Sequence, residues 1–196
     1  MNLETHPLSP FLPPNAKVLM LGSFPPPRIR WKMDFYYPNF NNDMWRIMGL
    51  VFFNDKDFFI DVVNKSFHQE VIERFLMDKG IAIFDVARTI VRLKDNASDA
   101  FLKVVEKVDV AELLKQMPAC THIITTGERS SEVLLSDFGI KPPKIGQSVQ
   151  LTIAKRTVYL HRLPSSSRAY PLALTKKAAY YQAVFAGIFY DEYELA

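Results

Sequence analysis

Short apolar runs separated by amphipathic stretches set the rhythm of this 196-residue chain. Four of the runs read as buried strands: residues 17–22 (KVLMLG), 80–84 (GIAIF), 122–126 (HIITT) and 156–163 (RTVYLHRL). Each is rich in β-branched or aliphatic residues and is bounded by turn formers. The first ends at Gly22 and a Ser23-Phe24-Pro25-Pro26-Pro27 turn, the second at Asp85 and the third at Gly127. Residues 149–154 stand close enough to the fourth run to pair with it as a hairpin across Lys155 and Arg156.

Helical spacing falls between these runs. Asn41, Asn42 and Asp43 offer a cap for a helix carrying Met44, Trp45, Ile47, Met48 and Val51. Ser66 and Gln69 have capping-box spacing ahead of Val71, Ile72, Phe75 and Leu76. Asp109 can cap a helix through Leu114, Ser130 opens another that reaches Leu135, and residues 174–189 form the last. Apolar strands alternating with amphipathic helices predict an α/β fold, a three-layer α/β/α sandwich with a central, mainly parallel four-stranded sheet. One domain over residues 1–196 is expected. Sheets of this kind hold ligands beyond the carboxyl ends of their strands. That rule gathers Gly22, Asp85, Gly127 and residues 164–168 at one edge.

Composition narrows the class without naming a function. Hydrophobic residues make up 48% and charged residues 23%, ordinary values for a globular chain. No apolar run has membrane-spanning length, and the opening MNLETHPLSPFLPP lacks the pattern of a signal peptide, so a cytoplasmic location is expected. Cys120 stands alone, which excludes an internal disulfide, and His6, His68, His122 and His161 show no metal-ligand spacing. No metal and no cofactor are therefore expected. The net charge of +3 permits a polyanionic partner without requiring one. Lys155, Arg156, Arg162, Arg168, Lys176 and Lys177 crowd one region, and Arg28, Arg30 and Lys32 another; either group also serves as a solvated face. The acidic end formed by Asp191, Glu192 and Glu194 reads as solvated.

Two loops could carry chemistry. Pro164, Ser165, Ser166, Ser167 and Arg168 join a strand to a helix. Small hydroxyl residues there leave backbone N–H groups free to face a phosphate, and Arg168 adds a charged fork; a capped helix start explains the same residues. The first loop has neither the glycines of a dinucleotide fingerprint nor the Gly-Lys-Ser/Thr of a P-loop. Its prolines lock a backbone that can hold a planar group or simply stiffen a strand exit.

Gly22-Ser23-Phe24-Pro25 after the first strand and Pro164-Ser165-Ser166-Ser167 after the last resemble the two motifs of the uracil-DNA glycosylase superfamily. The serine motif is most similar to that of thymine-DNA glycosylases. The glycine motif, with Phe35-Tyr36-Tyr37 and Asn42-Asp43-Met44-Trp45-Arg46, is similar to the hypoxanthine-DNA glycosylase branch. The resemblance runs from about residue 17 to residue 182, with specific matches at these three places. It implies a monomeric, monofunctional base-excision repair enzyme that hydrolyses the N-glycosidic bond of a flipped deaminated base, hypoxanthine or uracil, with damaged DNA as its partner.

Phe24 departs from the pattern, standing where most members carry a catalytic Asn or Asp; a phenyl ring can neither orient nor deprotonate water. The hypoxanthine branch attributes that role to the Asn of Asn-x-Phe-Trp, which is Asn42 here, with Met44 in place of Phe. Asn42 is equally suited to capping a helix. The resemblance further implies that Gly22, Ser23 and Phe24 hold the base, that Pro164, Ser165, Ser166 and Ser167 grip flanking phosphates, and that Arg168 fills the vacated stack. Tyr36 and Tyr37 either stack on the base or pack in the core. Asp85 takes the place of an Asn that contacts the base edge in uracil-specific members; an ionised carboxylate only accepts hydrogen bonds, so it favours a ring N–H, and a helix cap is its alternative role. Leu163 holds the slot of the motif His of classical uracil enzymes. Two other readings stay open: a catalytically silent nucleic-acid-binding protein of the same fold, and a small-molecule α/β enzyme using Asp85 or Cys120.

Overall fold

In the computed structural model, which describes residues 3–93 and 102–189, strands and helices alternate along most of the chain. In order come β1 (Leu3–Thr5), β2 (Val18–Gly22), α1 (Met44–Phe53), β3 (Ile60–Asp61), β4 (Ser66–Phe67), α2 (Gln69–Lys79), β5 (Ile81–Asp85), β6 (Ala87–Arg92) and β7 (Leu102–Lys107). Then follow α3 (Val110–Lys115), β8 (His122–Thr126), α4 (Glu128–Leu135), β9 (Ser148–Ile153), β10 (Arg156–Leu163) and α5 (Leu174–Phe189). Asp191, Glu192 and Glu194 lie outside the described residues.

β2 and β5 are buried at every position and β8 at all but its first, as strands covered on both faces must be. The main sheet has the order β5-β2-β8-β10-β9. Its first four strands are parallel, and β9 is antiparallel at the edge. The four-stranded expectation is corrected to five strands, because the hairpin adds β9 to the same sheet. The hairpin turns at Ala154 and Lys155, one residue earlier than the sequence pattern suggests. Both have positive φ (51° and 63°), as a two-residue turn matched to strand twist requires.

The chain runs outward from β2 to β5, then returns past β2 to β8 and β10. Right-handed crossovers put α1 and α2 on one face and α3 and α4 on the other. α5 joins the first face: the Phe52 ring of α1 lies 4.9 Å from Phe75 on α2 and 5.1 Å from Phe185 on α5. Among the described residues no helix is long and apolar enough to cross a membrane.

A second, antiparallel sheet of order β1-β6-β7 is absent from the sequence pattern. β6 starts one residue after β5, and the intervening Val86 donates its N–H to the Gly22 carbonyl at 2.9 Å. Phe24 packs into this small sheet with Ala87, Ile90 and Leu102. The first loop is thereby clamped between the two sheets.

Two of the expected helix caps differ from the simple motif. Ser66 and Gln69 form no capping box: Ser66 Oγ donates to the Lys32 carbonyl, while the Gln69 amide reaches Asp34 N and Glu73. At α1 the N-cap residue is Asp43, whose side chain makes no capping bond; Asn42 Oδ1 instead accepts the Met44 N–H at 2.9 Å. Asp109 behaves as expected, accepting the Glu112 N–H at 3.1 Å.

Candidate active site

Loops leaving the carboxyl ends of β2, β5, β8 and β10 surround a cleft of about 710 Å³. Gly22, Ser23, Phe24, Tyr36, Tyr37, Asn42 and Asp85 line it, and so do Ser165, Ser166, Ser167 and Arg168. Pro164 does not. It is buried, and its carbonyl accepts the Tyr181 hydroxyl at 3.0 Å, so the cleft-lining part of the tract begins at Ser165. Burial holds that Tyr181 phenol well above its ordinary pKa, so it remains a donor.

Asp85 forms one end of the cleft, 6% exposed. Its Oδ2 lies 2.8 Å from His6 Nε2, while His6 Nδ1 lies 3.0 Å from the Leu8 carbonyl and 3.2 Å from the Leu8 amide. A carboxylate oxygen only accepts, so Nε2–H is the donor of the His6–Asp85 pair. Oδ1 faces Gly22: a Cβ at that position would meet it at 2.2 Å, so only glycine lets the carboxylate close over the end of β2. Gly22→Ala is expected to displace Asp85 from His6 and to cost about 1–3 kcal/mol, read as a lower urea midpoint with an unchanged slope; a wild-type midpoint would show that the carboxylate yields freely.

The two tyrosines divide their roles. Tyr36 is 3% exposed, donates its hydroxyl to the Ser9 carbonyl at 2.8 Å and packs edge-on against Phe35. Burial, then the nearby Asp85 carboxylate and Tyr37, drive its phenol far above the ordinary value. Tyr36 is therefore mainly a packed wall. Tyr37 is half-buried, adopts a left-handed backbone (φ 51°) and shares a 2.9 Å hydrogen bond with Thr126. A bulky residue holds such a backbone only when its surroundings fix it, and here Tyr37 lines the cleft with its hydroxyl tied to the end of β8. Phe24 is 8% exposed, its ring meeting His6 edge-on at 5.3 Å.

The serine tract differs from expectation in one respect. Its backbone amides are not all free: Ser167 N–H donates to Ser165 Oγ at 3.2 Å and Ala169 N–H to Ser167 Oγ at 3.3 Å. These turn bonds occupy oxygen lone pairs and leave the hydroxyl hydrogens able to donate outward. Arg168, expected to fill a vacated stack, is held by the neighbouring loop. Its guanidinium reaches Asp43 Oδ1 at 3.2 Å and Asn41 Oδ1 at 3.3 Å. An isolated antiparallel bridge joins Asn42 to Ser167, and Asp43 N–H donates to the Ser166 carbonyl at 2.8 Å. The Asn42 backbone is thus fixed beside the tract, with Oδ1 on Met44 N–H and the residue itself part of the cleft lining.

Several residues of this arrangement escape sequence reasoning. His6 is far from Asp85 in the chain. Lys177, expected in a basic surface cluster, is 1% exposed and bonds Asp43 Oδ2 at 3.2 Å and the Ser167 carbonyl at 2.7 Å. Thr126 ends β8 at the edge where ligands are expected, a position the strand rule already marks. His161 and Cys120 stand outside the cleft lining. His161 pairs with His122 at 3.0 Å, and burial followed by that neighbour lowers it to about 4. Burial raises the Cys120 thiol to about 12, which leaves it a packing residue rather than a nucleophile. Among the described residues no cluster of three or more His, Cys, Asp or Glu is placed to hold a metal ion.

No protein-family model and no curated protein matches the chain. A solved structure does: the solution structure of a protein from Methanosarcina acetivorans described as a "putative Uracil DNA glycosylase" is 23% identical. The likeness has a TM-score of 0.61 over 91% of this chain and 96% of that one, so the two share a fold.

Proposed function

We propose that the chain is a DNA glycosylase that hydrolyses the N-glycosidic bond of a flipped, deaminated base, with hypoxanthine preferred over uracil. The observation that carries this reading is the order of groups across the cleft. Ser165, Ser166 and Ser167 follow β10, Asn42 is bridged to them, and Asp85 ends β5. β5 and β10 are three strand spacings apart, roughly 14 Å. That separation suits a nucleotide lying across the sheet edge, with phosphate at the hydroxyls and base edge at the carboxylate. The shared fold with the Methanosarcina protein agrees with it.

In this reading the base leaves the helical stack before reaction. The bond from C1′ to the base nitrogen lengthens, positive charge grows on the sugar, and water adds at C1′ while its proton passes to the departing base. Asn42 Nδ2 holds that water by donating to its oxygen, leaving a second lone pair for the attack. Asp85 Oδ1 accepts the ring N–H of the base, since Oδ2 is already held by His6. Hypoxanthine has one carbonyl beside its N1–H, whereas uracil has two beside N3–H, so the carboxylate repels uracil more.

Incubating uracil- and hypoxanthine-containing DNA with the protein and revealing abasic sites by alkali tests the proposal. Abasic product from either substrate supports it, and DNA binding without product supports the silent binder. Asp85→Asn turns an amide donor towards the base while keeping an acceptor for His6. It is expected to shift the hypoxanthine-to-uracil ratio towards uracil by about tenfold; an unchanged ratio removes Asp85 from recognition.

A further inference from the structure

The loop after β2 ends in a feature that base chemistry does not use. Pro25 and Pro26 line the cleft, and a short 3-10 turn, Arg28–Arg30, then carries Ile29 at its tip. Ile29 is 91% exposed, whereas its neighbour Arg30 returns to the cleft wall. The turn is braced rather than loose. Trp31 donates its indole N–H to the Pro26 carbonyl at 2.8 Å, Lys32 N–H reaches the Pro38 carbonyl at 2.9 Å, and the Arg28 guanidinium lies 4.2 Å over the Trp31 ring. A stiff turn that holds an aliphatic side chain in water, between two arginines and beside a cleft, has the form of a wedge.

Val63 is almost as exposed, at 90%, but its hairpin contributes nothing to the cleft lining. Arg168, the side chain expected to fill a vacated stack, is engaged by Asp43 and Asn41. We infer that Ile29 inserts between base pairs of a duplex and holds the stack open while the neighbouring nucleotide occupies the cleft, with Arg30 neutralising a phosphate beside it and Arg28 held in the turn by Asp34 and Trp31. This rests on the glycosylase reading for the identity of the nucleotide. The partner is double-stranded DNA, because a single strand has no base-paired stack to keep apart.

Single-turnover excision from a duplex and from the same lesion strand alone, for wild type, Ile29→Ala and Ile29→Leu, tests the wedge. Ile29→Ala is expected to lower the duplex-to-single-strand rate ratio by about tenfold, and Ile29→Leu to restore most of it. A ratio equal to wild type in Ile29→Ala overturns the inference. Ile29 touches no core, so a folding defect does not confuse the result. Fluorescence of a 2-aminopurine next to the lesion pair reports unstacking without excision. If wild type excises nothing yet unstacks the probe, and Ile29→Ala does not, the wedge stands and the glycosylase reading falls. A probe that stays stacked with wild type overturns the wedge.

Discussion

Asp43→Ala is expected to lower the melting temperature by roughly 6–20 °C, the consequence of losing about 3–5 kcal/mol. Asp43 is 6% exposed and sits between two cations, with Oδ2 on Lys177 Nζ and Oδ1 on the Arg168 guanidinium, each at 3.2 Å. Arg168 can turn to solvent when its partner goes, since its side chain is 47% exposed. Lys177 cannot: it is 1% exposed, and only the Ser167 carbonyl would remain to it. An ammonium buried against one neutral acceptor is the costly species. Removing both charges with Asp43→Ala/Lys177→Met should therefore recover much of the loss, because neither group is then left unpaired. Thermal unfolding followed by circular dichroism reads both variants. A single variant that melts with wild type would show that the pair contributes nothing to the fold, and a double variant no better than the single would show that the buried ammonium is not the source of the loss.

That interaction also shows what the sequence pattern can and cannot reveal. Lys177, Tyr181, Phe185 and Ile188 recur at steps of four, four and three, which places Lys177 on the buried stripe of α5. A lysine on such a stripe requires a carboxylate, and the helix pattern alone announces that need. It does not announce Asp43, 134 residues earlier. Grouping Lys177 with a basic surface cluster follows local charge density and misses the stripe.

The parallel strands are legible because burial on both faces leaves an unbroken apolar run, as in β2 and β5. The small antiparallel sheet is not. β1 and β6 pair over more than eighty residues of chain, with polar and apolar positions mixed, and nothing local marks Leu3 as the partner of Val91. His6 depends on that pairing, since its own amide bonds the Arg88 carbonyl at 2.8 Å beside β1. The residue that orients Asp85 is thus invisible until the long-range sheet exists. The capping box at Ser66 fails for a related reason: correct spacing loses to partners supplied by the loop at Lys32 and Asp34. The cleft lining is more legible than the sheet edge around it. Strand-end geometry is a consequence of topology, and the loops after β2, β5 and β10 are all marked by their sequences.

Asn42→Ala is expected to reduce single-turnover excision by roughly a hundredfold or more, the scale seen when a preorganised donor is removed from a reacting centre. The same substitution removes the acceptor that caps Met44 N–H, a loss of about 1 kcal/mol. The two effects must be separated. Asn42→Ser keeps a capping oxygen and discards the amide donors, so it should melt close to wild type yet excise as poorly as alanine. Asn42→Asp preserves shape and cap but replaces two donors with acceptors. A carboxylate there can still order water by accepting its proton, so its activity should lie between alanine and wild type and rise as that carboxylate ionises. Rates measured well below the melting transition compare the folded proteins. If serine restores excision along with stability, Asn42 acts only through α1. If serine restores stability alone, the water-holding role is separated from the cap, and Phe24 in the first loop is compatible with an active enzyme because the amide is supplied from the adjoining loop.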